Sequence, residues 1–362
     1  MPPQNEPRVV DGMPSVELSR EEFERRFRQR FYDPAFEPLA PQLEALVEQA
    51  WRSYIEYHKS PRKRRAGAGF AEPDFELPVE WLAARDAIQR AEERRRDPGS
   101  PSRILLINGS ARTDQSCPGE MSKSFRLAVL AQQAFEAQAG FEVDLLDLSR
   151  LVSEYGRVIF PCKACVSTAQ PLCHWPCSCY PNHALGQTQD WMNELYPRWV
   201  AAHGVMIVTP VNWYHVPSVL KLMIDRLVCA DGGNPDPTST HGKDPLLAKA
   251  RELAGWSYPK HLAGRAFAVV VHGDAEGARS VRTALCDWLS WLGLHQAGPS
   301  AAFERYLGYY EPYATSHDAL DRDDDLKTEV RNAALSLAEG VRLIRAGRWP
   351  EPGRELPAPR PK

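Results

Sequence analysis

Two stretches of this 362-residue chain carry side chains in patterns suited to chemistry. The first is Asn108-Gly109-Ser110-Ala111-Arg112, then Ser116, then Met121-Ser122-Lys123-Ser124, directly after the apolar run Ile104-Leu105-Leu106-Ile107. A turn that leaves a strand and opens a helix presents unpaired backbone N–H groups and the positive end of the helix dipole. Small residues let a ligand come close to that backbone. Hydroxyls of Ser110, Ser122 and Ser124 can donate to phosphate oxygens, and Arg112 or Lys123 can neutralise charge. A phosphate monoester is the ligand this chemistry suits; the plainer alternative is a helix N-cap with a few loop serines. Neither G-x-G-x-x-G nor the P-loop pattern occurs, which disfavours a dinucleotide fingerprint or an NTPase. Hydrolase signatures such as H-E-x-x-H and G-x-S-x-G are missing too.

The second stretch holds five of the eight cysteines. Cys162, Cys165, Cys173, Cys177 and Cys179 form C-x2-C-x7-C-x3-C-x-C, with His174 and His183 nearby. Thiolates this close can converge on an iron–sulfur cluster or on zinc, and a metal-free set of thiols is the third reading. Cys162, Cys165, Cys173 and Cys177 are the candidate ligands, with Cys179 spare. Pro161, Pro171, Pro176 and Pro181 stiffen the segment without separating ligand from scaffold. Cys117, Cys229 and Cys286 are scattered, and are expected to be inert.

The elements that must position these groups follow from periodicity. From Arg103 onward strands alternate with helices: Ile104–Ile107 is a short continuous apolar run, Phe141–Leu148, Gly204–Thr209 and Ala266–His272 read as the second, third and fourth strands, and a weaker fifth strand is expected near Gln296–Phe303. Helices are predicted over about 120–138, around 219–227, around 281–292 and over 326–344. Such alternation calls for an open parallel sheet with helices on both faces. Residues 1–100 differ: Phe23, Phe27 and Phe31 recur every four residues, and helices are predicted over 19–30, 38–58 and 77–96. The basic run Arg62-Lys63-Arg64-Arg65 is expected to be a solvated loop. Asp97-Pro98-Gly99-Ser100-Pro101 reads as a linker. The expected organisation is a helical extension over 1–100, a sheet domain over 101–347 and a Pro-rich tail over 348–362.

Hydrophobic content of 43% and charged content of 25% are ordinary for a globular chain. A net charge of −3 argues against broad nucleic-acid binding. No apolar run approaches the ~20 residues of a membrane helix, and the first residues lack a secretory signal. A cytoplasmic location is the expectation, with no membrane partner.

ILLINGSAR, TPVNWYHVPSVLKLMIDR and HGDAEG together resemble segments of the NADPH-dependent FMN reductase family, over about Arg103 to Leu294. The resemblance implies a flavodoxin-like, doubly wound parallel five-stranded sheet, here with an N-terminal helical extension. It implies FMN as cofactor, NADPH or NADH as co-substrate, and a small electron acceptor such as a quinone, nitro compound or flavin. Ser110 and Arg112 match its phosphate loop, with Ser116, Ser122, Lys123 and Ser124 in a longer loop than usual. Pro210, Val211, Asn212, Trp213 and Tyr214 match the loop lining the isoalloxazine ring, whose backbone N–H groups near Val211 to Trp213 are expected to serve the flavin. His272, Gly273, Asp274 and Gly277 match the loop on the other side. Some relatives carry an iron–sulfur cluster, and family members are usually homo-oligomers. Hydride transfer is the cofactor's chemistry, so no catalytic side chain is assigned.

Overall fold

The computed structural model describes residues 17–56, 62–116, 120–181, 185–273, 276–308, 311–312 and 315–350. The chain divides into two compact units, Met1–Pro61 with Asn182–Gln187, and Arg62–Pro181 with Thr188–Lys362. Among its described residues the first unit is built on helices α1 (Arg20–Arg28) and α2 (Ala40–Glu56). Ser19 caps α1, its hydroxyl accepting from the Glu22 amide at 3.2 Å. The four-residue aromatic spacing becomes a seam: the Phe23 ring centre lies 5.4 Å from that of Trp51 and 4.9 Å from that of Tyr54. Ring contact along one stripe is what that spacing provides on a helix.

The second unit begins with a small antiparallel hairpin, β1 (Lys63–Arg65) against β2 (Glu76–Pro78). The basic run is therefore solvent-exposed, but as a strand rather than a loop. Helix α3 (Val79–Arg96) follows and buries Ile88 and Ala91 in the same cluster as sheet residues Leu105 and Ile107.

The central sheet contains β3 (Ser102–Asn108), β4 (Phe141–Asp147), β5 (Gly204–Pro210) and β6 (Ala266–Gly273), all parallel, in the order β4-β3-β5-β6. Beyond β6 the fifth position is shared by two short parallel strands, β7 (His295–Gln296) and β8 (Ala302–Tyr306). The turn over Pro299–Ala301 separates them, since proline cannot donate to a ladder. Counted in chain order the positions run 2-1-3-4-5, the flavodoxin arrangement.

The helices after α3 are α4 (Lys123–Glu136), the single turn α5 (Arg150–Ser153), α6 (Met192–Ala201), α7 (Ser218–Arg226), α8 (Pro245–Leu253), α9 (Ala278–Trp291), α10 (Ser316–Arg322) and α11 (Asp324–Arg345). Strand side chains alternate between two cores. Ile104, Leu106, Met206, Val208, Ala268 and Val270 pack with residues of α4 and α11. Leu105, Ile107, Val205, Ile207, Val269 and Val271 pack with residues of α3, α6, α7 and α9. Strands covered on both faces must be apolar throughout, which is why their sequences are unbroken apolar runs.

Among the described residues of this unit Arg226, at the end of α7, forms a buried ion pair with Asp190 at 2.6 Å, and its guanidinium also donates to the Phe160 carbonyl at 2.8 Å. Burial pushes the Asp190 carboxyl above its ordinary value, against the pull of the Arg226 charge. Removing one partner strands a buried charge. Asp190→Ala is expected to cost about 3–5 kcal/mol, read as a lower urea midpoint; an unchanged midpoint would show that the pair is dispensable.

Candidate functional site

The β3–β5 ladder ends at the pair Asn108 and Val208. Just past it the Gly109 amide donates to the Val208 carbonyl at 2.8 Å, tying the loop after β3 to β5. A Cβ at Gly109 would lie 2.7 Å from Thr209 Oγ1 and 2.9 Å from Leu220 Cδ2, so only glycine fits. The Asn108 side chain donates to Asp147 Oδ1 at 2.8 Å and accepts from the Ser110 amide at 3.3 Å. Ser110 Oγ in turn accepts from the Arg112 amide at 3.1 Å, and Ser122 Oγ accepts from the Phe125 amide at 3.0 Å as the cap of α4. Each hydroxyl accepts from the backbone and keeps a proton to donate.

At the end of β6, His272 Nε2 lies 2.7 Å from Ser124 Oγ, with both residues buried. Burial, aided by the Lys123 charge, lowers the His272 pKa to about 3. The imidazole is neutral near pH 7 and serves to orient Ser124.

After β5 the chain makes a tight turn: the Asn212 amide donates to the His215 carbonyl at 2.8 Å and His215 returns the bond at 3.1 Å. Its two central residues, Trp213 and Tyr214, have φ of 49° and 67°. Left-handed positions of this kind normally take glycine or asparagine. Two aromatic rings there store strain of about 1–3 kcal/mol each. Gly277, with φ of 106°, backs the turn; a Cβ on it would stand 2.8 Å from Tyr214 Cα.

These loops enclose a cleft of about 360 Å³ at the carboxyl ends of β3, β5 and β6. Of the predicted site residues, Ser110, Arg112, Ser122, Lys123, Ser124, Pro210, Val211, Asn212, His272 and Gly273 line it. Its described lining includes two cationic side chains and no carboxylate. It lies where the strand order reverses, between β3 and β5.

The sequence model of the NADPH-dependent FMN reductase family matches residues 102–307. The chain belongs to this family. An iron–sulfur flavoprotein of Methanosarcina thermophila is 28% identical over 127 residues, 35% of this chain. The chain spans about half of that curated relative, 52% of its length. Solved structures similar to it include RosB with bound 8-demethyl-8-formylriboflavin-5'-phosphate, at 16% identity and a TM-score of 0.46, over 68% of this chain and 82% of that one. An FMN-dependent NADH-azoreductase from Bacillus anthracis str. Ames Ancestor, in complex with FMN, is 16% identical with a TM-score of 0.35, over 66% of this chain and 100% of that one.

Other residues expected from the family pattern fall outside the cleft. Ser116 accepts from the Thr113 amide at 3.0 Å and closes a turn in the loop. Trp213 and Tyr214 line a second, adjoining cavity, and Gly277 lies behind their turn. Asp274 is outside the described residues. The amides of Val211 and Asn212 are taken up by the His272 and His215 carbonyls. Of the three expected to serve a flavin, the Trp213 N–H is therefore the one left among the described residues. Sequence reasoning missed Leu307, which lines the cleft and donates to the Gly273 carbonyl at 2.9 Å. That pairing joins β6 to the chain after β8 and leaves no local signal.

The cysteines gather, though not as the spacing implied. Cys165 neighbours Cys173 and Cys179, and Cys177 neighbours Cys179, so the expected spare is part of the group. Cys162 lines a separate surface cavity with Val228 and Trp291. The Lys243 ammonium lies 3.7 Å from Cys165 Sγ. The adjacent Cys179 thiol and burial push the Cys177 pKa well up. His174 is bonded through both nitrogens, to Ser178 at 2.6 Å and Thr240 at 3.1 Å. His183 is outside the described residues. Among the described residues no three His, Cys, Asp or Glu side chains are arranged to hold a metal ion.

The depressed His272 pKa has a stability consequence. Between the ordinary value near 6.5 and about 3, the unfolded chain binds a proton that the folded chain does not. Stability must therefore fall as pH falls through that window, by up to about 1.4 kcal/mol per pH unit for one group. His272→Gln should lose less stability than the native chain between pH 7 and pH 5 in urea titrations. Parallel losses would show that His272 is not buried neutral.

Proposed function

We propose that this family member is an FMN-dependent oxidoreductase taking reducing equivalents from NADPH or NADH to a small organic acceptor such as a quinone, nitro compound or flavin. The observation that carries it is the charge and donor pattern of the cleft. Arg112, Lys123, the Ser110 and Ser122 hydroxyls and the amino end of α4 meet there with no carboxylate among the described lining. A terminal phosphate monoester fits that set by charge and by donor geometry.

Within this reading Ser110, Arg112, Ser122 and Lys123 hold the phosphate. Ser124, oriented by neutral His272, adds a hydroxyl that cannot bring a competing negative charge. Pro210, Val211 and Asn212 flank one side of a planar ring, and His272 and Gly273 the other. On this reading the Trp213 N–H, at the border of the cleft, is the backbone donor assigned to a ring nitrogen. When bound, FMN supplies two-electron exchange between nicotinamide and acceptor, so the chain needs no nucleophile or acid–base pair. Its residues bind, orient and exclude water.

The cysteine segment does not fit an iron–sulfur centre as its residues stand, because the four expected ligands are not brought together as one metal-holding group. The proposed activity runs without one. Iron and acid-labile sulfide in anaerobically purified protein are expected well below one per chain. About four of each, as a four-iron cluster held by cysteine thiolates requires, would replace this reading by an electron-transfer iron–sulfur flavoprotein.

Replacing Ser110 by Ala and Arg112 by Gln together removes one neutral and one charge-assisted donor. The expected loss is about 2–4 kcal/mol, roughly 30- to 1000-fold in FMN affinity. Flavin fluorescence titration reads it directly, and native affinity in the double variant would mean the loop has another task.

A further inference from the structure

The cysteine segment takes no part in the flavin chemistry, since no cysteine is in the described lining of the cleft. Among the described residues its thiols are all free, and none forms a metal-holding group. They form a string instead: Cys173 neighbours Cys165, Cys165 neighbours Cys179, and Cys179 neighbours Cys177. We propose that Cys165 and Cys173 are a reversible dithiol–disulfide site, closed by reaction with a low-molecular-weight organic disulfide and reopened by thiols. Its premise is the absence of a bound metal.

Lys243 selects this pair from the string. Its ammonium lies 3.7 Å from Cys165 Sγ and donates at 2.7 Å to the carbonyl of Leu172, the residue before Cys173. Cys165 Sγ donates to the same carbonyl at 3.8 Å. The Cys165 sulfur is thus held against the backbone that carries Cys173, with a cation beside it. A neighbouring cation favours the thiolate, which is the attacking form. The Cys173 thiol and burial nevertheless keep the Cys165 pKa above its ordinary value, against the pull of Cys179 and Lys243. The pair therefore rests as thiols.

Access divides the roles. Cys165 is half-buried, within reach of a small reagent, whereas Cys173 is buried. Cys173 is also fixed: its amide donates to the Gln170 carbonyl at 3.0 Å, and its carbonyl accepts from the Asn234 amide at 2.7 Å. Ala164, left-handed at φ of 51°, turns the chain just before Cys165, and Cys162 lies at a separate cavity. With an organic disulfide RSSR, the Cys165 thiolate attacks one sulfur, forming a Cys165–S–S–R bond and releasing RS⁻. The Cys173 thiolate then attacks the Cys165 sulfur, closing the protein disulfide and releasing the second RS⁻. The two thiol protons end on the two RS⁻ groups, so two cysteines are oxidised and one RSSR is reduced to two RSH.

The full chain is incubated with oxidised glutathione, its free thiols are blocked, and its peptides are mapped by tandem mass spectrometry. Cys165 should be joined to Cys173, and dithiothreitol should restore both thiols. Cys173→Ser should trap a glutathione adduct on Cys165, and Cys165→Ser should leave Cys173 unmodified. In Lys243→Met the thiolate becomes about tenfold scarcer while each is about threefold more reactive, so closure should slow roughly threefold. Both cysteines unmodified in the native chain would overturn the site, and so would bonding of either to Cys162 or to another copy of the chain. About one zinc per chain, with thiols unreactive until a chelator is added, would overturn it in favour of a metal centre. Flavin titration of the same sample tests the earlier reading separately.

Discussion

Where β3 and β5 stop pairing, their chains must part, because β3 leads back to β4 on one side and β5 leads on to β6 on the other. The crevice between them follows from the strand order rather than from any single side chain. Gly109 sets its floor by allowing the loop after β3 to lie against Thr209 and Leu220. Everything placed around the crevice then hangs from strand ends: the phosphate loop from Asn108, the aromatic turn from Pro210, and the third wall from Gly273. A rigid sheet, packed on both faces, fixes three separate loops against each other without their needing long stretches of mutual contact.

The electrostatics of the crevice are local. The chain as a whole carries a net charge of −3, yet the described lining of the cleft has cations and no carboxylate. Asp147, the acid paired with Asn108 at the end of the neighbouring strand β4, is turned to structural use: one of its oxygens accepts from the Asn108 side chain and from the Ser149 amide. His272, the one titratable ring in the described lining of the cleft, is held neutral by burial. Both devices keep negative charge and stray protonation away from a place suited to an anion.

How much of this the sequence discloses depends on the range of the interaction. Strands β3, β5 and β6 are legible because burial on both faces demands runs of apolar residues, the edge strand β4 because apolar residues recur between its acids, and α4, α7, α9 and α11 because each repeats an apolar stripe. The fifth strand is blurred because it lies at an edge and is broken at Pro299. Helix α6 escapes notice because Pro197 sits inside it and buried residues crowd most of its circumference. Hydroxyls and cations of the phosphate loop can be read from spacing, being neighbours in the chain. Ser124 bonding His272 across 148 residues cannot, and neither can Leu307 closing on Gly273. The cysteine spacing discloses a cluster but not its membership, since the proline-rich segment brings Cys179 beside Cys165 and Cys177 and places Cys162 at another cavity.

Local preference fails most informatively at Trp213 and Tyr214. Both central positions of that turn call for residues without a bulky Cβ substituent, and the chain instead carries its two largest kinds of aromatic there. Nothing in the turn's own hydrogen bonding requires rings; Asn-Gly would close the same pair of bonds with less strain. The rings are also not buried, so core packing does not repay the cost. Gly277 gives way at φ of 106° so that the Tyr214 backbone can come close, which ties the turn to the start of α9. A strained, exposed, buttressed pair of aromatics beside a cationic cleft is hard to explain by stability. Within the proposed reading the two rings face a ligand, at the boundary between the two cavities.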